Sequence, residues 1–224
     1  MKIAGIDPSM NSSGKCIMDL DENYKINSIH YYGYHTTKIR SISGERVEIA
    51  HIGNKYSSLN MFDRQNLAYD ILNKDMEDVK HVALEGYAFG KTGSSSLIQL
   101  GEFGGGLRKF FYDQGKGVIF YPPTTVKHFA TGSGAADKIR MAESIKQLYP
   151  ECYPSIFESF HQYESPHSDL CDAFWICEVL RNHLIYDVFG SDALEEHIRL
   201  LLEFKSVKKS SSIIETKLFL KQKI

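Results

Sequence analysis

Lys2-Ile3-Ala4-Gly5-Ile6-Asp7-Pro8-Ser9 reads as a strand that stops on an acid. Pro8 has no N–H to carry a ladder further, so Asp7 falls at the strand's end. Gly14 to Leu20 reads as a second strand, and Asp21-Glu22-Asn23 as a hairpin turn. Tyr24 to His35 is a third, with Ile26, Ile29, Tyr31 and Tyr34 among its larger side chains. Three antiparallel strands therefore open the chain.

The pattern then changes. Residues 41–58 are weakly patterned and read as a loop or insertion. Residues 60–78, followed by Val79, place Phe62, Leu67, Ile71, Leu72, Met76 and Val79 at roughly helical spacing. His81-Val82-Ala83-Leu84-Glu85 is a short apolar run ending in an acid, as expected of a buried strand. A Gly/Ser/Thr loop over 90–96 leads to a glycine-rich helix from Leu97 to Asp113. Val118 to Tyr121 is the next strand, stopped by Pro122-Pro123. Thr125 to Ala130 and Ala135 to Leu148 read as helices, and 150–164 as irregular. A last helix starts at Ser165-Pro166, with Ser165 as N-cap and Pro166 in the first turn. This order gives an α/β layered domain. Its mixed five-stranded sheet has three antiparallel strands, then two parallel ones, flanked by helices.

The 224 residues fit one domain with an appendage, and 42% are apolar, so a packed core is expected and wholesale disorder is excluded. No run approaches the ~18 apolar residues of a membrane span. The N-terminus meets an acid too early for a signal peptide. Cys16, Cys152, Cys171 and Cys177 lack CxxC spacing, and are expected to be reduced thiols of a cytoplasmic protein. A net charge of −2 argues against a histone-like DNA coat, though a local basic patch is enough to bind DNA. Residues 199–224 carry seven Lys/Arg against two acids, making a basic extension on an acidic body.

Asp7 and Glu85 end strands that a mixed sheet sets side by side, at the carboxyl ends where α/β sites form. Asp169 and Asp172 are three apart on the last helix and share a face. The opposite face, with Leu170, Ala173, Phe174, Cys177, Leu180 and Leu184, packs on the sheet. Taken singly, each acid is a turn residue, a cap or an answer to the helix dipole. Together, converging carboxylates repel and raise one another's pKa unless hard divalent cations join them. Two such ions about 4 Å apart can clamp a phosphodiester, one at the attacking water and one at the leaving 3′-oxygen.

Four segments, in order, resemble the RuvC-type Holliday-junction resolvases of the RNase H/integrase-like superfamily. These are Gly5-Ile6-Asp7-Pro8-Ser9; Ala83-Leu84-Glu85 with Lys91; Tyr121 to Lys127 continuing through Gly132 to Lys138; and Ser168-Asp169-Leu170-Cys171-Asp172-Ala173. The resemblance spans about residues 1–185 and implies an RNase H-like nuclease domain over 1–186. It leaves 187–224 as an extension, and the apolar stripe of Val207, Ile213, Ile214, Leu218 and Leu220 among its cations points to packing on the core or a partner rather than a free DNA arm. It implies that Asp7, Glu85, Asp169 and Asp172 bind metal, Mg2+ or Mn2+, as two ions per site. It matches Lys127 and Lys138 to basic residues beside the scissile phosphate, although plain solvated lysines fit the same positions. It also implies that Tyr87 or Phe89 stacks on a junction base, the other being a core aromatic. Residues 41–58 and 150–166 look longer than the family's equivalents. His161 and His167 flank the last motif as surface histidines, as supports behind the metal ligands or as activators of water.

Lys91, Arg108, Lys109, Lys116, Lys127, Lys138, Arg140 and Lys146 fall mid-chain, where those near the acids would hold phosphates. Lys91, Lys127, Lys138 and Arg140 are the candidate DNA contacts. Family members form homodimers through the region of Leu97 to Phe111, and a two-fold dimer suits a four-way junction. Gly101 to Gly106 can equally pack within one monomer. The expectation is a metal-dependent endonuclease that nicks opposed strands of four-way DNA junctions, leaving 5′-phosphate and 3′-hydroxyl ends. The rivals are a broader debranching nuclease, an actin/sugar-kinase-like nucleotide binder using Asp7 to Gly14 as a phosphate cradle, and an inactive junction-binding scaffold.

Overall fold

The computed structural model describes residues 1–36, 41–44, 46–86, 94–159, 164–190 and 194. The first hairpin pairs β1 (Lys2–Asp7) with β2 (Ser12–Leu20), antiparallel, with Asp7 opposite Gly14. β3 (Ile26–His35) continues the meander with Gly33 opposite Gly14. On the other flank β6 (Val79–Glu85) runs parallel to β1, and β7 (Gly117–Tyr121) parallel to β6. These are the five expected strands.

Two more strands extend the sheet beyond β3. The segment read as a loop over 41–58 forms β4 (Ile42–Ser43), β5 (Val47–His51) and the short helix α1 (Gly53–Ser57). β5 adds parallel to β3 and β4 closes the edge, giving the order β4-β5-β3-β2-β1-β6-β7. Val47 and Ile49 are buried with Glu48 exposed between them, an alternation too brief to mark a strand by sequence.

Helices cover both faces. α2 (Met61–Asn73) starts at Asn60, whose side chain accepts from the Asp63 N–H, and α3 (Ser94–Asp113) lies beside it. Tyr69, Leu72, Phe103, Leu107 and Phe111 pack there against Ala4, Ile6 and Val82. The other face holds α4 (Pro123–Thr131), α5 (Lys138–Leu148) and α6 (His167–Phe189). Pro123 fits the first turn of α4, Gly132 ends it at φ 75°, and Asp137 caps α5 through the Arg140 N–H. α5 thus begins three residues later than the sequence pattern indicates. Phe129, Trp175 and Tyr149 interlock edge to face, and the Trp175 indole N–H donates to the Met141 carbonyl at 2.9 Å.

Residues 150–159 are not irregular. They form two 3-10 turns, Pro150–Cys152 and Ser155–Ser159, and bury Phe157 against Tyr31 at 5.1 Å between ring centroids. All four cysteines are buried free thiols. Among the described residues no helix is long and apolar enough to cross a membrane. Of the extension 187–224, only 187–190 and 194 are described.

Candidate active site

Glycines set the position of α6. An added Cβ at Gly5 would lie 2.3 Å from the Cys177 backbone N, and at Gly14 it would lie 2.2 Å from the Asp169 carbonyl oxygen. At Gly33 it would stand 2.6 Å from the Ser13 carbonyl oxygen and 3.4 Å from Leu170 Cδ2. The helix therefore rests backbone to backbone on β1 and β2, and its N-terminal end reaches the carboxyl end of β1. That seat brings Asp169 and Asp172 to Asp7 and Glu85.

The four carboxylates feel one another. Burial, then the charges of Glu85, Asp172 and Asp169, push the Asp7 carboxyl well above the usual range. Burial and the neighbouring aspartates push Glu85 up to about 8. Asp172 is pushed up to about 6 by burial and Asp169. Asp169 is raised by burial and pulled back by hydroxyl donors and Lys138. Two lysines oppose this negative charge. Lys127 of α4 favours the ionised forms of Glu85 and Asp172, and Lys138 of α5 those of Asp7, Asp169 and Asp172.

The donor set fits a hard divalent cation by chemistry: oxygen only, crowded, and short of positive charge. It is not closed in advance, for among the described residues no three His, Cys, Asp or Glu side chains form a ready metal-holding group. Asp7, Glu85, Asp169 and Asp172 are the residues able to hold such an ion.

Asp169 has partners that the sequence reading missed. Ser12 donates to its Oδ2, while Ser165 and Ser168 donate to Oδ1 at 2.9 and 3.2 Å. Lys138 Nζ in turn donates to Ser168 Oγ at 3.0 Å. Ser165 is therefore not the N-cap of α6. Pro166 holds that place without a side-chain cap, and the Ser165 hydroxyl serves Asp169 instead. The Ser165-Pro166 pair marks the right point in the chain, but the hydroxyl's partner is set by tertiary packing.

Other candidates divide. Arg140 stands exposed on α5, two residues past Lys138. Tyr87, Phe89, Lys91 and His161 lie outside the described residues. His167 is not a surface histidine. It is 1% exposed, lies 2.8 Å from the Tyr153 hydroxyl through Nε2, and burial pushes its pKa down to about 4. Lys116 is buried and donates to the carbonyls of Met76 and Val79, at the opposite end of the strands from Glu85. Lys109 pairs with Asp113, Lys146 with Glu158, and Arg108 lies over the Phe120 ring. Each of these four cations has a structural use within the fold.

The turn after Asp7 is tied from below. Ser9, Met10 and Asn11 offer consecutive carbonyls to the Tyr34 hydroxyl, the Tyr56 hydroxyl and the Thr36 N–H. The Ser9 N–H donates to Ser13 Oγ at 2.7 Å and the Asn11 N–H to Ser9 Oγ at 3.4 Å.

A structure of Thermus thermophilus RuvC in complex with Holliday junction substrate superposes with a TM-score of 0.54 at 20% identity, covering 85% of this chain and 96% of that one. The chain has the fold of RuvC. A second T. thermophilus RuvC structure matches at TM-score 0.49 and 18% identity, over 85% and 97% of the two chains. The fowlpox virus resolvase with substrate Holliday junction DNA matches at 0.44 and 19%, over 82% and 99%. No protein-family model and no curated protein matches the sequence. The RuvC fold is thus carried here by a chain only 20% identical to that protein, on a mixed sheet with helices on both faces.

Proposed function

We propose that this protein is a metal-dependent, structure-selective DNA endonuclease that resolves four-way junctions. The observation that carries the reading is the convergence of Asp7, Glu85, Asp169 and Asp172 at the strand ends of a RuvC fold, with Lys127 and Lys138 beside them. Asp7, Glu85 and Asp172 would hold Mg2+, or Mn2+ in its place, with Asp169 completing the set as two ions per site. Bound there, the ions would supply the positive charge that phosphodiester hydrolysis needs, giving 5′-phosphate and 3′-hydroxyl ends. Lys127 or Lys138 binds the phosphate at the cut and stabilises its added charge. Arg140 and Lys91 extend the phosphate track, and Tyr87 or Phe89 is proposed to stack on a base at the junction centre.

Two sites are proposed to act together in a homodimer. On α3 an added Cβ at Gly101 or Gly105, four residues apart, would meet nothing within 4 Å, and Ile98 on the same side is 61% exposed. That face suits the approach of a second copy. Gly106, by contrast, is used within the monomer, where an added Cβ would lie 2.2 Å from the Tyr69 hydroxyl. The nucleotide-binder reading is disfavoured because a phosphate cradle needs free N–H groups. In the turn after Asp7 the Ser9 and Asn11 N–H groups are already taken by serine hydroxyls.

The test is cleavage of a labelled mobile four-way junction in Mg2+, beside linear duplex, a Y-fork and a three-way junction. Paired symmetric nicks on the four-way junction alone are expected. Cutting of every branched form would reassign the protein as a general debranching nuclease. Asp7→Asn is expected to lower cleavage at least about a thousandfold while junction binding persists. Full cutting by that variant would sink the site assignment.

A further inference from the structure

The Asp169 carboxylate differs from its three neighbours in being almost fully hydrogen-bonded before any ligand arrives. A carboxylate offers about four lone-pair positions. Hydroxyls from Ser12, Ser165 and Ser168 take three of them, one on Oδ2 and two on Oδ1. The donors come from three separate places: the start of β2, the loop before α6, and α6 itself. Serine has one hydroxyl proton. Since Ser168 accepts from Lys138 Nζ at 3.0 Å, its own proton is directed at Asp169. Asp169 itself is 7% exposed, so water can replace these donors only poorly. Gly14 holds the backbone under it, leaving the helix no freedom to carry the carboxylate away.

We propose that Ser12, Ser165 and Ser168 are positioning residues that fix Asp169 in one orientation, so that it presents a single open lone pair to a divalent cation. Lys138 is joined to the same cradle through Ser168. Occupation of the lysine by a DNA phosphate and loading of the cation are therefore linked through one hydroxyl. This rests on the nuclease reading above and adds to it the residues that make one of the four acids rigid. Asp7, Glu85 and Asp172 are left to adjust around the ion.

The test is Mn2+ binding to the DNA-free protein, followed by isothermal titration calorimetry, for the parent, Ser12→Ala, Ser165→Ala, Ser12→Thr and Asp169→Asn. Thermal melting and metal-free junction binding are measured on the same samples. The expected result is about tenfold weaker Mn2+ binding in each alanine variant, the usual scale for removing a hydrogen bond behind a ligand. Ser12→Thr, which keeps the hydroxyl, is expected to restore it, with metal-free junction binding unchanged in the serine variants. Parent-like Mn2+ binding in both alanine variants, with loss in Asp169→Asn, overturns the cradle and leaves the nuclease reading standing. A parent protein that binds no Mn2+ and cuts no junction overturns both. Ser165→Ala lies outside the sheet, so a folding defect from the β2 change does not decide the outcome.

Discussion

Gly14 has no side chain, and its place in the fold tolerates none. A Cβ there would sit 2.2 Å from the Asp169 carbonyl oxygen, so Gly14→Ala must push α6 off the sheet. Forcing atoms into a packed seam costs about 1–3 kcal/mol. Chemical denaturation should show Gly14→Ala destabilised by about 3 kcal/mol, and junction cutting should fall at temperatures where it is still folded. A stable variant with parent-like cutting would mean that α6 has slack at this point. The residue shows what the sequence discloses and what it conceals. The four acids were legible because each ends a strand or begins a helix, and a mixed sheet with the last helix packed on it sets those ends side by side. Gly14 reads only as a strand start. Its use under α6, between Asp7 on one side and Gly33 on the other, depends on sheet register. Ser12 is concealed for the same reason, since its hydroxyl's partner lies 157 residues away.

Among the elements, β4, β5 and α1 were the least legible, because two strands of two and five residues give too little alternation to read. Their placement gives them a purpose. Tyr56 of α1 is buried and reaches across to the Met10 carbonyl, next to the Ser9 carbonyl held by Tyr34. The added edge thus braces the turn that follows Asp7. Tyr56→Phe removes one hydroxyl donor and keeps the ring. It should cost about 1 kcal/mol, or about 2–4 °C in melting temperature for a chain of this size. If the brace also sets Asp7, the single-turnover cutting rate should drop with junction affinity unchanged. An unaltered rate would confine the edge to stability. The start of α6 makes the same point about elements. Ser165-Pro166 announces a helix correctly, yet the sequence gives no sign that the serine serves a carboxylate one turn on rather than a helix N–H.

At the scale of the whole molecule, the acid cluster is a stability cost that the proposed metal-dependent function would explain. Glu85 is held at about 8, above its ordinary value of 4.5, by burial and the aspartates around it. Between those values the folded chain keeps a proton that the unfolded chain releases. Stability contributed by this group is therefore greatest at low pH and is lost as pH rises through about 8. Other groups act in the opposite sense. Stability linked to His167, held near 4, rises with pH up to its ordinary 6.5, and that linked to Lys15, buried and held near 7, rises with pH up to its ordinary 10.5. A raw melting curve mixes these groups with the other raised carboxyls, but the difference between parent and Glu85→Gln keeps only the part due to Glu85 and to Asp7, which its charge pushes up. In EDTA, that difference should grow in the variant's favour as pH goes from about 5 to 8 and then level off. By pH 8 the variant should lead by at least about 1 kcal/mol, or about 2–4 °C. Millimolar Mg2+ should reverse it by stabilising the parent, since a ligand bound only by the folded state adds stability by mass action. A pH-independent difference, with no response to Mg2+, would place Glu85 outside any shared charge cluster. Differential scanning fluorimetry across that pH series, with and without the metal, distinguishes the two cases without DNA or a cleavage assay.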